Sequence, residues 1–556
     1  LHIAISIHSL PSHYRSPLLP KTMEEQNPTT QLSTTTTNTT STPPKSTAPS
    51  MASLDIKPRR NKYALACAML ASMTTILIGY DVAVMSGAQL FIKEDLRVTD
   101  TQIEILAGVI NLYSLLGSLA AGRTSDWIGR RYTMVLAAAI FFAGALTMGL
   151  APDYAVLMVG RFVAGVGVGY ALMIAPVYTA ELSPAASRGA LTSFPEVFIN
   201  SGVLLGYVAN FAFAKLPLRL GWRAMFLAGA VPPVFLGAGV LAMPESPRWL
   251  VMQGRLDDAR RVLAKTTGGP DEAELRLQEI KESLGEHAKR RRGEGVWREL
   301  LVRPTPSVRR ILLAALGLQF FQQASGIDSV VLYSPRVFQK AGIRSDSNSL
   351  GATVAVGFTK TAFILVATFF LDRVGRRPLL LASAGGMVAS LLALASALRI
   401  IDDRAHDHSD GHGGAAAAVA IAAVLSFVGS FSIGLGPIAW VYSSEIFPLR
   451  LRAQGASMGT GMNRVMSGVI TMTFISLYNA ITISGSFFLY AGVAAMGWVF
   501  FYVFLPETRG RSLEDMEVLF GRKRVEEEKE KGKEGGEEGV VENKGDAEGE
   551  SQENNC

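Results

Sequence analysis

Twelve predominantly apolar runs of roughly 20 residues follow one another between residues 63 and 505, and charge is crowded into the stretches around them. A run of that length is long enough to cross a hydrocarbon core of about 30 Å as a helix. Inside a bilayer the backbone must also satisfy its own polar groups. The runs fall near 63–90, 103–121, 132–151, 154–177, 190–213 and 223–242, then near 310–335, 350–371, 378–398, 415–441, 453–476 and 485–505. Only 18% of the 556 residues are charged and 49% are hydrophobic, whereas a soluble domain carries about a quarter charged residues. A large soluble core would need these runs interrupted by polar faces. The sequence predicts an all-α integral membrane protein with twelve transmembrane helices.

The stretch GRTSDWIGRR at 122–131 returns in shortened form as LDRVGRRP at 371–378. A cluster of Asp, Gly and two Arg cannot lie in hydrocarbon, so each copy is read as a short loop between consecutive spans. PVYTAELSP around Glu181 returns as WVYSSEIFP around Glu445, and PESPRWL at Pro244 as PETRGRSL at Pro506, in the same order. The chain is thus a duplication, two pseudo-symmetric six-helix bundles, and halves meeting at a bilayer midplane are a carrier's arrangement. Lys57, Arg59, Arg60 and Lys62 precede the first run, which predicts a cytoplasmic N-terminus. The Arg-rich stretches 122–131, 371–378 and 448–452, and the C-terminal tail, then fall on the same side.

Residues 1–56, rich in Ser, Thr and Pro, are expected to be a disordered extension, with MASLDIK at Met51 resembling a natural start. Residues 57–243 and 309–520 are the two bundles. The charged insert 244–308 has apolar positions Ala259, Val262, Leu263, Leu275, Leu277, Ile280 and Leu284, which predict short amphipathic cytoplasmic helices. Residues 521–556 mix Lys, Glu and Gly without an apolar face and are expected to be disordered. The net charge of +6 forms no basic stripe for a nucleic acid, and a disulfide between Cys67 and Cys556 is not expected. His406, His408 and His412 lie in DDRAHDHSDGHGG, read as a solvated loop. There is no nucleotide loop, nucleophile triad or metal-ligand spacing, so no enzyme activity, cofactor or metal is expected.

Several polar residues lie within the apolar runs. Asp81 in IGYDVAVMSGA would cost roughly 2.5–3.5 kcal/mol alone at the bilayer centre, and Arg161 in GRFVAGVG is its natural partner. Protonating Asp81 would release Arg161, and that exchange can couple proton entry to a conformational step. Gln322, Gln323 and Asp328 supply donors and acceptors suited to hydroxyls. Tyr333 and Pro335 follow where the seventh helix should break, suggesting a gate, and Trp440 in GPIAW offers an apolar face with one N–H donor. Lys360 lies inside VAVGFTKTAFILV, where pairing with Asp328 or Glu196 is its expected escape. Gly160, Gly165, Gly167 and Gly169 are read as sites of close helix packing. Arg123, Asp126, Arg130, Arg131, Glu181, Arg188, Glu245 and Arg248 form one charged set, mirrored by Asp372, Arg376, Arg377, Glu445 and Arg452. Their expected role is to latch loops to helix ends and to part when the inside opens.

GRTSDWIGRR, GRFVAGVGVG, PVYTAELSP, PESPRWL, QQASGID, LDRVGRRP, GPIAWVYSSEIFP and PETRG occur in order. From about 57 to 520 the chain resembles the sugar porter branch of the major facilitator superfamily. GYDVAVMSGA, SFPEVF, GFTKT and MNR resemble the plant polyol and monosaccharide transporters within it. The resemblance implies that an Asp at position 81 marks a proton symporter and that Asn463 faces the solute cavity. It also exposes three departures: Glu196 stands where hexose porters commonly have Gln, and Asp328 and Lys360 where they commonly have Asn. A carboxylate-rich site of this kind would accept hydrogen bonds from linear polyols. The expected function is proton-coupled symport of polyols of the sorbitol, mannitol and xylitol type and of monosaccharides. An inositol or hexose symporter is the alternative, and a non-transporting sugar receptor the alternative of another class. Polyol or sugar, protons and the lipid bilayer are the expected partners, with a monomeric functional unit in the plasma membrane and both termini cytoplasmic.

Overall fold

The computed structural model describes residues 62–182, 191, 194–267, 269–290, 300, 304–343, 345–407, 413–447 and 451–508. The N-terminal extension, Arg188, His408, His412 and the C-terminal tail lie outside the described residues. All regular elements among the described residues are helical. In the first half they are α1 (Lys62–Met73), α2 (Ile76–Asp95), α3 (Asp100–Ile128), α4 (Arg130–Gly149), α5 (Tyr154–Leu182), α6 (Phe194–Phe213), α7 (Leu218–Ala228) and α8 (Val231–Leu241). A linker follows with α9 (Pro247–Met252), α10 (Leu256–Thr266) and α11 (Pro270–Arg290). The second half has α12 (Pro306–Ala324), α13 (Ile327–Lys340), α14 (Asp346–Val374), α15 (Arg376–Asp407), α16 (Gly413–Ile433), α17 (Leu435–Glu445), α18 (Arg452–Ile481) and α19 (Ile483–Phe504). Four of the twelve spans are jointed pairs: α1 with α2, α7 with α8, α12 with α13 and α16 with α17. Among the described residues, ten helical stretches are long and apolar enough to cross a membrane. The other two spans, 306–340 and 452–481, carry most of the buried polar residues discussed below.

The charge clusters differ from the loops expected of them. Helix α3 runs to Ile128 and α4 starts at Arg130, so Gly129 alone separates them, at φ +98°. Gly375 alone separates α14 from α15, at φ +105°. An L-residue rarely takes that conformation, so glycine makes each reversal. The charges escape hydrocarbon by helix length: α3 has 29 residues, about 44 Å of rise against a core of about 30 Å.

Span seven breaks ahead of Tyr333 and Pro335. The joint is Gly326 at φ +82°, and Pro335 lies inside the continuous helix α13. Proline there removes the N–H that would bond the Val331 carbonyl. That carbonyl instead accepts from the hydroxyls of Ser334 at 3.1 Å and Tyr207 at 2.6 Å. Tyr207 belongs to the other half, so the proline supplies an acceptor for contact between halves instead of a break.

Small residues set the packing of α5. A Cβ on Gly169 would stand 2.1 Å from the Ser114 carbonyl oxygen of α3, and one on Gly167 2.8 Å from the Phe141 nitrogen of α4. In the linker, Leu250, Ala259, Leu263, Ala273, Leu277 and Ile280 bury one another, whereas Leu275 is exposed. The halves meet along α3 with α18 and α6 with α14. From mid-depth to the face opposite the linker, polar contacts cross the seam. Gln89 donates to the Leu332 carbonyl at 3.0 Å, Arg336 pairs with Asp100 at 3.2 Å, and Thr361 donates to the Asn200 carbonyl at 3.1 Å. Buried Glu104 of α3 accepts from the Ser476 backbone N–H of α18 at 2.8 Å and from its hydroxyl at 2.5 Å.

Candidate functional site

A cavity at mid-depth is walled by both halves. Asn111 of α3, Arg161 of α5 and Glu196 of α6 face Gln322 and Gln323 of α12, Asp328 of α13, Lys360 of α14, Trp440 of α17 and Arg464 of α18. Ile78, Ile199, Val203, Val331 and Phe431 supply apolar surface between these groups. Polar anchors on an otherwise apolar wall are what orient a small ligand.

The amides on the second-half side are organised by a residue behind the wall. Asn463 is fully buried; its Nδ2 donates to Gln319 Oε1 at 2.9 Å and to Gln322 Oε1 at 2.7 Å. Its Oδ1 accepts from Gln323 Nε2 at 3.2 Å and from Arg464 at 2.7 Å. Gln322 Nε2 in turn donates to the Leu435 and Gly436 carbonyls at the joint between α16 and α17. This arrangement fixes which amide atoms remain. Gln323 Oε1 and Arg464 Nε–H are buried and unpartnered, a costly condition that an added partner would relieve.

The charges around the cavity do not neutralise one another by contact. Lys360 is 9% exposed, and it makes no hydrogen bond or ion pair within 4 Å among the described residues. Asp328 and Glu196 are the charges that act on it, across the cavity and without direct contact. Asp328 accepts from the Ser467 hydroxyl, and Glu196 from Asn200 at 3.5 Å. The four charged side chains project from four different helices, α6, α13, α14 and α18, and surround the cavity at a distance from one another. Tyr333 is not on this wall: it is buried, donates to the Thr471 carbonyl at 2.8 Å and stacks on Phe474.

Beside the cavity, Arg161 reaches both oxygens of Asp81 at 2.7 and 2.8 Å, and its Nε donates to the Leu106 carbonyl at 3.0 Å. Both residues are 1% exposed. Removing one member of such a buried pair costs about 3–5 kcal/mol because the other is left uncompensated.

At the linker face the following contacts among the described residues lie within each half. Arg130 grips Glu181 through Nε at 3.1 Å and NH2 at 3.2 Å, and Asp126 at 3.0 Å. Glu245 accepts from the backbone N–H groups of Arg130 at 2.9 Å and Arg131 at 3.2 Å, placing a carboxylate at the positive start of α4. Burial pushes the Glu245 carboxyl above its ordinary value, while the N–H groups of Ser246, Arg131 and Arg130 favour its charged form. Arg131 donates to the Met243 carbonyl, and the Asp126 carbonyl accepts from Trp249. Arg123 and Arg248 are exposed. In the second half Glu507 repeats the cap on α15, accepting from Arg376 at 3.0 Å and Arg377 at 2.9 Å. Asp372, Glu445 and Arg452 stand near the ends of α14, α17 and α18.

Sequence reasoning missed Glu507, although the repeat of PES as PET carried the signal. It also missed Gln319, Arg464 and the seam residues Gln89, Glu104 and Tyr207. Their importance depends on which helix each one faces, and no local pattern records that.

A family profile described as "Sugar (and other) transporter" matches residues 67–520. The chain is 64% identical over 485 residues to polyol transporter 5 of Arabidopsis thaliana, covering 85% of this chain and 89% of that one. It is 34% identical over 460 residues to the glucose transporter GlcP of Staphylococcus epidermidis, covering 83% and 97%. Among solved structures, the inward open conformation of the xylose transporter XylE from E. coli superposes with TM-score 0.67 at 26% identity, covering 82% of this chain and 100% of that one. The proton:xylose symporter XylE bound to 6-bromo-6-deoxy-D-glucose gives TM-score 0.69 at 28% identity, covering 83% and 100%.

Proposed function

The chain belongs to the sugar (and other) transporter family, a membrane transporter and not an enzyme, and on that premise we propose that it imports linear polyols and some monosaccharides together with protons. The observation that carries the reading is the Asp81–Arg161 pair, buried in the first half with Arg161 also on the cavity wall. Protonation of Asp81 frees Arg161 and thereby links proton occupancy to the shape of the site. A membrane potential contributes about 2.3 kcal/mol per charge per 100 mV, enough to concentrate a neutral solute when one proton travels with it. The relatives named polyol transporters and a neighbour titled a proton:xylose symporter support the same assignment.

Gln322, Gln323, Glu196, Asp328 and Lys360 present hydrogen-bonding groups to the solute hydroxyls, and Trp440 lies against the C–H face. Asn463 holds the amides in place from behind, and Tyr333 steadies the wall on the side away from the linker. With the linker face cytoplasmic, the seam contacts close the outside, and the chain stands open or partly open inward. The charged sets of the linker face latch loops to helix ends when the outside is open and part as the inside opens fully. The protein works as a monomer in the plasma membrane with both termini cytoplasmic.

The test is solute-evoked inward current in expressing cells across sorbitol, mannitol, xylitol, inositol and glucose, repeated with Asp81→Asn. The wild type should carry current with the linear polyols, and the variant should lose current while retaining exchange of labelled for unlabelled solute. A variant that still concentrates solute would sink the role of Asp81. A wild type preferring inositol or glucose would move the substrate assignment to those solutes, and one binding sugar without moving it would make it a receptor.

A further inference from the structure

Arg464 stands where the two halves and the two sites come together. Its guanidinium belongs to α18 and forms part of the cavity wall. It donates to Asn463 Oδ1 at 2.7 Å and, across the seam, to Asn111 Oδ1 of α3 at 3.4 Å. Through Asn463 it is tied to Gln319, Gln322 and Gln323. Along α3, about one and a half turns from Asn111, the Leu106 carbonyl accepts from Arg161, which holds Asp81. Hydrogen bonds and one stretch of helix thus connect the solute amides to the proton-binding pair.

The charged groups facing Arg464 from other elements are Asp328 of α13, Glu196 of α6 and Lys360 of α14. It makes no ion pair with either carboxylate within 4 Å among the described residues, and its Nε–H is buried without a partner. A guanidinium serving as a fixed strut at this depth would be compensated by a contacting carboxylate. This one is held by two amide oxygens and keeps a free donor, so an arriving hydroxyl competes directly for it.

We propose that Arg464 is a positioning residue that couples solute occupancy to proton occupancy of Asp81. In the empty site it holds α3, and with it the Leu106 carbonyl, in the register that keeps Arg161 on Asp81. Solute hydroxyls that engage the guanidinium loosen the bond to Asn111, and α3 shifts relative to Arg161. The proposal rests on the reading of the chain as a proton–solute symporter.

The experiment records current and labelled sorbitol uptake together, giving charge moved per solute, for the full-length wild type, Arg464→Gln and Arg464→Lys. The wild type should move about one charge per sorbitol. Arg464→Gln should lower that ratio by at least about threefold, because a coupling between sites ordinarily worth about 5–150-fold in affinity is lost, measured with sorbitol raised until uptake offsets any loss of affinity. Arg464→Lys keeps the charge but not the planar fork and should also lower the ratio. A wild-type ratio in Arg464→Gln overturns the proposal. So does loss of uptake and exchange in both variants at normal membrane abundance even at raised sorbitol, because Arg464 is then needed for folding or for the transport step itself instead of coupling. Absence of solute-evoked current in the wild type would refute the symport reading itself, separately from the assignment of Arg464.

Discussion

The hydroxyl of Tyr207 offers a direct measure of what keeps the outside closed. It is fully buried and donates at 2.6 Å to the Val331 carbonyl, which Pro335 has left without a helical partner. In Tyr207→Phe that carbonyl keeps only the Ser334 hydroxyl at 3.1 Å. The acceptor is weakened but not orphaned, so the closed state loses about 1 kcal/mol, the ordinary net value of one hydrogen bond. When the outside opens, the tyrosine hydroxyl exchanges that carbonyl for water, so the loss falls on one conformation. With tenfold in an equilibrium per 1.4 kcal/mol, the outward-open population should rise about fivefold. Leu332 lines the cavity next to this contact. A Leu332→Cys reporter in a Cys67→Ala, Cys556→Ala background should therefore react about fivefold faster with an impermeant thiol reagent added outside. An unchanged or slower labelling rate would refute the argument that the proline-freed carbonyl holds the halves together.

Three other outcomes are expected. Lys360→Asn should shift preference from linear polyols towards hexoses in uptake competition; an unchanged preference would show that the charge ring does not read the solute. Glu104→Gln keeps the shape of the clasp on Ser476 but loses charge assistance worth about 1–2 kcal/mol, so the external half-saturating solute concentration should fall as the outward-facing state gains population; a wild-type value would count against that clasp. Gly129→Ala forces an L-residue to φ +98° and sets a Cβ 2.4 Å from Glu245 Oε2. It should cost about 1–3 kcal/mol and lower the unfolding midpoint in detergent by several degrees, and an unshifted midpoint would mean that the joint relaxes freely.

The spans and the duplication were legible because each rests on a property repeated over many residues, apolar length in one case and motif order in the other. The buried pair was legible for a different reason: Asp81 and Arg161 are each so costly alone in hydrocarbon that one predicts the other. For Lys360 the same logic named the right charges, Asp328 and Glu196, but not the geometry, since they act on it across the cavity and not by contact. What Pro335 does was not legible, because a carbonyl freed inside a helix can be satisfied by a distant hydroxyl, here that of Tyr207. Arg464 and Glu104 sit in sequences no different from ordinary helix surfaces. Only the packing of α3 against α18 brings Arg464 to Asn111 and Glu104 to Ser476.

The one-glycine joints at Gly129 and Gly375 leave almost no free chain between the helices they connect. Helices hinged so tightly cannot slide independently, so each pair must be carried through the transport cycle as a stiff unit. A flexible spacer inserted after either glycine would therefore do more than lengthen a connection: it would let one helix lag behind its neighbour and waste part of the rocking stroke as internal shear.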